Sequence, residues 1–128
     1  MELIVDANIL LAAFLKEAVT RELLLDERLH LFAPEHLLSE TARHLKKDAR
    51  LRRRIGISEE MLRGLFEVLT SRIQTVPAAS YQSHMLKATA LAAHKEDAPY
   101  LALALARNMV LWSNDRGFKQ QFSSGVKS

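Results

Sequence analysis

Four acidic residues lie far apart in this chain, and each falls beside the end of a predicted strand or near the start of a predicted helix. They are Asp6, Glu40, Asp97 and Asp115. Parallel α/β folds bring such positions together, and like charges do not gather without a cation to offset their repulsion. If the four converge, a divalent metal site is the simplest account of them, and metal-assisted hydrolysis is the reaction class to consider.

Each of these acids also has a local structural explanation. Asp6 and Asp97 suit helix N-caps, and Asp115 suits a turn. Glu40 lies off the apolar face of its predicted helix, where a solvated position and the wall of a polar cleft are equally consistent with the pattern. The four acids taken together carry more weight than each one alone, because Mg²⁺ and Mn²⁺ prefer oxygen ligands from a few carboxylates, with water and substrate phosphate completing the shell.

Length and composition indicate one compact domain over 1–128, with a polar C-terminal tail at 122–128. The net charge is only +3. The absence of cysteine excludes disulfides, thiolate chemistry and Cys-rich zinc sites. The N-terminus lacks the pattern of a signal peptide, and no apolar run is long enough to span a bilayer. We therefore expect a cytoplasmic protein without a membrane partner.

The chain alternates between strand-like and helix-like segments. Strands are predicted at 3–5, 29–33, 73–76 and 109–112. Helices are predicted over 9–15, 20–28, 34–55, from Ser58, over 81–94, from Asp97 and over 118–122, with Thr20 as a cap and Pro34 as a first helical residue. This order predicts an α/β fold with a central parallel sheet of about four to five strands and helices on both faces. Sites in such sheets form beyond the strand carboxyl ends, so we expect Asp6, Asp97 and Asp115 to face one crevice.

A basic segment follows Glu40 on the same predicted helix. It contains Arg43, Lys46, Lys47, Arg50, Arg52, Arg53 and Arg54. One interpretation is a solvated helix face. The other is an electrostatic track for an RNA backbone, which would lead the substrate towards the acidic crevice. The five histidines show no metal-ligand spacing, and we expect them to be packed or solvated.

The sequence resembles the PIN-domain ribonucleases, in particular the compact toxins of VapBC type, over nearly its whole length. The resemblance rests on residues 5–8, 34–40, 97–104 and 111–118. It implies a Rossmann-like parallel sheet and a Mg²⁺- or Mn²⁺-dependent endoribonuclease. The four acids match the acidic positions of the family, and Asn8 with Ser113 or Asn114 match polar positions that often support the site. A further acidic residue that some relatives carry after the last one is absent here, where Arg116, Gly117 and Phe118 follow.

We hypothesise that Asp6, Asp97 and Asp115 hold the principal metal, while Glu40 binds a second ion or orients the attacking water. Toxins of this branch usually form homodimers and are held inactive by a small antitoxin, whose acidic tail would fit the basic segment. Two alternatives remain open. One is a PIN-type nuclease in RNA processing without an antitoxin, and the other is a non-catalytic module that binds RNA or protein.

Overall fold

Four parallel strands form one sheet in this computed structural model, which describes residues 1–15 and 18–113. They are β1 (Glu2–Val5), β2 (His30–Pro34), β3 (Ile73–Val76) and β4 (Val110–Trp112). The strand order is β3-β2-β1-β4, so the chain moves outward from β1 through β2 to β3 and then returns to the other side of β1. The predicted parallel α/β sheet is confirmed, and its order reverses between β1 and β4.

Seven α-helices flank this sheet among the described residues. They are α1 (Ala7–Phe14), α2 (Ala18–Leu24), α3 (Leu37–Lys47), α4 (Ala49–Ile55), α5 (Glu59–Thr70), α6 (Met85–Leu91) and α7 (Ala98–Arg107), with 3₁₀ turns at Ala78–Ser80, Gln82–His84 and Lys95–Asp97. Leu3, Ile4 and Val5 are all buried, although successive side chains of a strand point to opposite faces. Both faces of the central strand β1 are therefore covered. None of the described helices is long and apolar enough to cross a membrane.

Local capping signals in the sequence predict several helix ends correctly. The Asp6 carboxylate accepts a hydrogen bond from the Ile9 amide, and the Ser58 hydroxyl accepts one from the Met61 amide. Gly56 ends α4 with a φ of 70°, a left-handed conformation that glycine adopts without the steric cost of a Cβ.

The single helix predicted over 34–55 is wrong at two points. Pro34 is the last residue of β2 and pairs with Val76 of β3. It lies beyond Phe32, the last residue of β2 that pairs with β1. The β1–β2 ladder therefore requires no N–H from Pro34. The helix is also interrupted at Asp48, because that carboxylate accepts hydrogen bonds from the Arg50 and Leu51 amides and starts α4.

Two further helix predictions need correction. Thr20 is a buried residue inside α2 rather than its cap, and α2 ends at Leu24, before a turn in which Asp26 binds Arg28 at 2.7 Å. The segment 81–94 begins with 3₁₀ geometry, and its α-helix covers only Met85–Leu91. The helix predicted over 118–122 lies outside the described residues.

Candidate active site

Asp6 lies at the point where the strand order reverses, directly after β1. Its side chain is 2% exposed. One carboxylate oxygen, Oδ1, accepts the Ile9 amide at 2.9 Å, and the other, Oδ2, accepts the Ser113 hydroxyl at 2.5 Å. Ser113 follows β4, whose Trp112 pairs with Val5, so strand register brings the two residues side by side. The Asp6 carboxylate is thus held in one orientation by both neighbouring chain segments.

Asp97 occupies the N-cap position of α7, at the end of a 3₁₀ turn. Pro99 lies in the first turn of this helix, where its missing N–H leaves no intrahelical hydrogen bond unmade. Tyr100 follows three residues after Asp97, which places the two side chains on the same face of the helix start. Tyr100 is 3% exposed. The beginning of α7 therefore contributes both a carboxylate and a buried phenol.

Glu40 lies in the first turn of α3, and its carboxylate is held differently from that of Asp6. Its Oε2 is 3.3 Å from Nε2 of His36, one helical turn earlier. The side chains are partly exposed, at 37% for His36 and 21% for Glu40. The His36 ring also contacts the Tyr100 ring, with 5.8 Å between ring centroids and a tilt of 58°.

These side chains meet in one pocket of about 210 Å³, hereafter the acidic pocket. It is lined by Asp6, Ala7, Asn8, Leu11, Glu40, His44, His94, Glu96, Asp97 and Tyr100. Burial raises the pKa of Tyr100 far above its usual value, and the negative charges of Glu40, Asp6 and Asp97 raise this pKa further. Three carboxylates from three separate elements thus act on the same phenol, which therefore stays protonated and neutral.

The donor set of the acidic pocket fits a hard divalent cation. Its four carboxylates, Asp6, Glu40, Glu96 and Asp97, provide the oxygen donors that suit Mg²⁺ and Mn²⁺, and the imidazoles of His44 and His94 line the same pocket. Within residues 1–15 and 18–113, no three Asp, Glu or His side chains are close enough to ligate one ion. Mg²⁺ is commonly held by one or two carboxylates, with waters and phosphate oxygens completing its shell. The acidic pocket therefore offers enough carboxylates for Mg²⁺, which needs only one or two of them from the protein.

The other predicted site residues fall into two groups. Asn8 is exposed and lines the acidic pocket, and Ser113 contacts it through Asp6. Asp115 and Asn114 lie outside the described residues. The structure thus brings together Asp6, Glu40 and Asp97, with Asn8 and Ser113 beside them.

The basic segment is exposed and is divided between α3 and α4 by the break at Asp48. One concavity, hereafter the basic pocket, has a volume of about 730 Å³. It is lined by Arg43, His44, Lys47, Asp48, Ala49, Arg50 and Arg53. Because His44 also lines the acidic pocket, the two pockets share a wall. The basic pocket and the acidic pocket therefore adjoin at His44, on α3.

A second concavity of about 450 Å³ lies between α3, α4 and α5, and is hereafter the apolar groove. Its floor contains Ala42, Leu45, Leu62 and Phe66, and its rim contains Ser39, Arg43, Lys46, Lys47, Arg52, Glu59 and Arg63. Arg52 and Arg63 line this groove but not the basic pocket, and are called the groove-only arginines. Arg50 and Arg53 line the basic pocket but not the groove, and are called the pocket-only arginines. Arg54 lines neither concavity.

Sequence reasoning missed five residues in or beside the acidic pocket: His36, His44, His94, Glu96 and Tyr100. Three of them have a signal in helical spacing. His36 and His44 are four residues before and after Glu40, on the same face of α3, and Tyr100 is one turn after Asp97. His94 has no such signal, because it precedes α7 in an irregular segment.

The sheet and the acidic pocket define an α/β protein with acids gathered at the carboxyl ends of its strands. A family model described as PIN domain matches residues 4–128. Because this match spans nearly the whole chain, the chain belongs to the PIN-domain family. PIN domains are generally metal-dependent nucleases. A search of curated proteins finds no match to this chain.

Proposed function

We propose that this chain is a Mg²⁺- or Mn²⁺-dependent endoribonuclease that hydrolyses RNA phosphodiester bonds in the acidic pocket. One observation carries the proposal: in a chain of the PIN family, Asp6, Glu40 and Asp97 come from three separate elements and line the same pocket. Asp115 would join them as the fourth acid, on the grounds of sequence alone.

The carboxylates have different roles in this proposal. Asp6 and Asp97 would hold the principal cation, and Glu40 would hold a second one or orient the attacking water. A bound divalent ion supplies the charge that activates water and offsets the negative phosphate. The hydrogen bonds from Ile9 and Ser113 keep the Asp6 carboxylate oriented before any ligand arrives. Asn8, at the wall of the same pocket, offers an amide to the substrate.

The basic pocket is the proposed path of the RNA backbone. Its side chains, Arg43, Lys47, Arg50 and Arg53, are exposed and can pair with phosphates next to the cleaved bond. The wall shared through His44 makes this path continuous with the acidic pocket. Contacts of this kind hold a backbone without reading its sequence.

We propose further that the nuclease is a toxin of VapBC type whose antitoxin covers the apolar groove. The groove combines an apolar floor with a rim of five cationic side chains, one carboxylate and one hydroxyl, and this rim complements an amphipathic segment with acidic side chains. A small reading frame beside the gene, whose product copurifies with this chain, is the expected companion. Its absence would favour a role in RNA processing without an antitoxin. Homodimerisation stays a prediction.

The nuclease function is tested with purified protein and an end-labelled RNA, in Mn²⁺ and in EDTA. We expect internal cleavage in Mn²⁺ only. Asp97→Asn should lower the cleavage rate by about 100-fold or more, because the pocket loses a carboxylate charge. Glu35→Gln is the matched control, since it removes the same charge from an exposed side chain outside the acidic pocket.

Three outcomes would contradict the proposal or its site. Cleavage that continues in EDTA would show that the activity does not depend on a divalent ion. RNA binding without cleavage in any metal would favour the alternative of a non-catalytic module. Equal rates for Asp97→Asn and Glu35→Gln would remove Asp97 from the site.

A further inference from the structure

Glu40 is a carboxylate of the acidic pocket whose position needs a separate explanation. Asp6 is fixed by the Ile9 amide and the Ser113 hydroxyl, and Asp97 is attached at a helix start. The Glu40 carboxylate instead stands at the end of a longer side chain, whose rotamer freedom opposes a fixed position. The contact at 3.3 Å with His36 Nε2 restricts this freedom.

His36 is in turn restricted by Tyr100. The two rings lie 5.8 Å apart between centroids, a separation typical of packed aromatic pairs. Tyr100 is buried in α7 and lines the acidic pocket with Asp97, one turn away. A chain of contacts therefore runs from α7 through Tyr100 and His36 to Glu40 on α3. It links the two helices that carry carboxylates of the pocket.

We propose that His36 is a positioning residue of the acidic pocket, held by the Tyr100 ring and holding the Glu40 carboxylate towards the pocket. Its catalytic consequence rests on the proposed nuclease function. A group held against a metal-ligating side chain favours one orientation of that ligand, and losing such a partner typically weakens metal binding or activity about 10- to 100-fold. His36 acts through Glu40 and needs no contact with the substrate.

A purely local explanation exists for the same contact. Histidine and glutamate four residues apart on a helix attract each other on any solvated surface, with little effect elsewhere. The ring contact with Tyr100 distinguishes the two explanations, because a solvated helix pair has no need of a buried partner from another helix. The positioning role predicts an effect on metal binding, whereas the local explanation predicts none.

The test compares His36→Leu with His36→Gln, each alone and combined with Glu40→Gln. His36→Leu removes the polar ring nitrogen that contacts Glu40, and His36→Gln keeps a polar side-chain N–H at a similar distance from the backbone. We expect His36→Leu to raise the Kd for Mn²⁺ about tenfold and to lower kcat on RNA, and His36→Gln to recover most of both. In the Glu40→Gln background, His36→Leu should have no further effect, because the interaction is already lost. His84→Leu is the control, since His84 is partly buried but pairs with the Ser83 hydroxyl rather than with Glu40.

A second readout does not depend on activity. The ¹³C resonance of the Glu40 carboxyl carbon should move in His36→Leu and stay in place in His84→Leu, with both variants folded by circular dichroism. If the wild-type protein neither binds Mn²⁺ nor cleaves RNA, the nuclease proposal fails, and this resonance still decides whether His36 holds Glu40. An unmoved resonance overturns the inference. So does a His36→Leu effect on Mn²⁺ affinity that is equally large in the Glu40→Gln background.

Discussion

The substitution Asp6→Asn separates the two roles of Asp6, in the fold and in the acidic pocket. Asparagine keeps nearly the same shape and caps helices as well as aspartate does, so the bond from the Ile9 amide should survive. The Ser113 hydroxyl can rotate and accept a hydrogen bond from the new amide. The variant therefore loses mainly the negative charge.

The expected change in stability without metal is small. Replacing the charge-assisted bond to Ser113 with a neutral one costs about 1 kcal/mol, and weaker repulsion from Glu40 and Asp97 offsets part of this cost. We therefore expect the free energy of unfolding to change by no more than about 1 kcal/mol. For a chain of this length, the corresponding change in Tm is up to about 4 °C.

The expected change with metal is large. A wild-type protein in Mn²⁺ at 100 times its Kd gains about 2.7 kcal/mol of stability by mass action. Asp6→Asn should lose most of this gain, together with at least about 100-fold in cleavage rate. Thermal unfolding with and without Mn²⁺, run beside the RNA-cleavage assay, measures both effects.

Asp26→Asn is the matched control, because it removes the same charge from a carboxylate that pairs with Arg28 outside the acidic pocket. It should leave the Mn²⁺ response and cleavage unchanged. The reasoning is refuted if Asp6→Asn keeps the wild-type rise in Tm with Mn²⁺ and the wild-type cleavage rate. A metal-free Tm that falls by far more than about 4 °C would refute the separation of the two roles.

Three further predictions concern the basic pocket, the glycines and the tyrosines. Replacing the pocket-only arginines with Gln should reduce the slope of log affinity for single-stranded RNA against log salt concentration by up to about 1.4. The same replacement at the groove-only arginines should leave this slope unchanged. Equal slopes for the two variants would contradict the proposed path of the RNA backbone through the basic pocket. Gly56→Ala should destabilise the chain by about 1 kcal/mol, because the φ of 70° at this position strains an L residue. Gly64→Ala should stabilise the chain by about 0.5–1 kcal/mol, since Gly64 lies inside α5 and no described atom crowds its Cβ position. Urea unfolding measures both changes. Burial raises the pKa of Tyr81 and Tyr100, so their phenols lose protons at lower pH in the unfolded state than in the folded state. The free energy of unfolding should therefore fall above about pH 10. Phenolate absorbance that rose near pH 10 without unfolding would contradict this prediction.

The parts of the site that follow from the sequence are those determined by local rules. Asp6 follows a short apolar strand and caps the next helix, and both features can be predicted from the residues adjacent to it in the sequence. Pro34 shows the limit of such rules: proline suits both the start of a helix and the last position of a strand ladder, and only the register with β1 and β3 distinguishes the two.

The contacts between elements could not be predicted in the same way. Helical spacing places Tyr100 one turn after Asp97, but Leu101 has nearly the same spacing, and periodicity groups Tyr100 with the apolar residues of α7. Its role depends on the distance to His36 on another helix. Likewise, the spacing of Glu40 and His36 permits a contact, but rotamers and the neighbouring helix determine whether it forms.

The hydrogen bond from Ser113 to Asp6 joins two residues separated by 107 positions. Translation delivers the chain from its N-terminus, so Asp6 leaves the ribosome long before Asp97 and Ser113 exist. The edge of β1 that pairs with β4 therefore stays unpaired until β4 has been synthesised. The order of synthesis thus delays assembly of the acidic pocket, and a nuclease of this topology would be inactive on the transcript being read while its own chain is still growing.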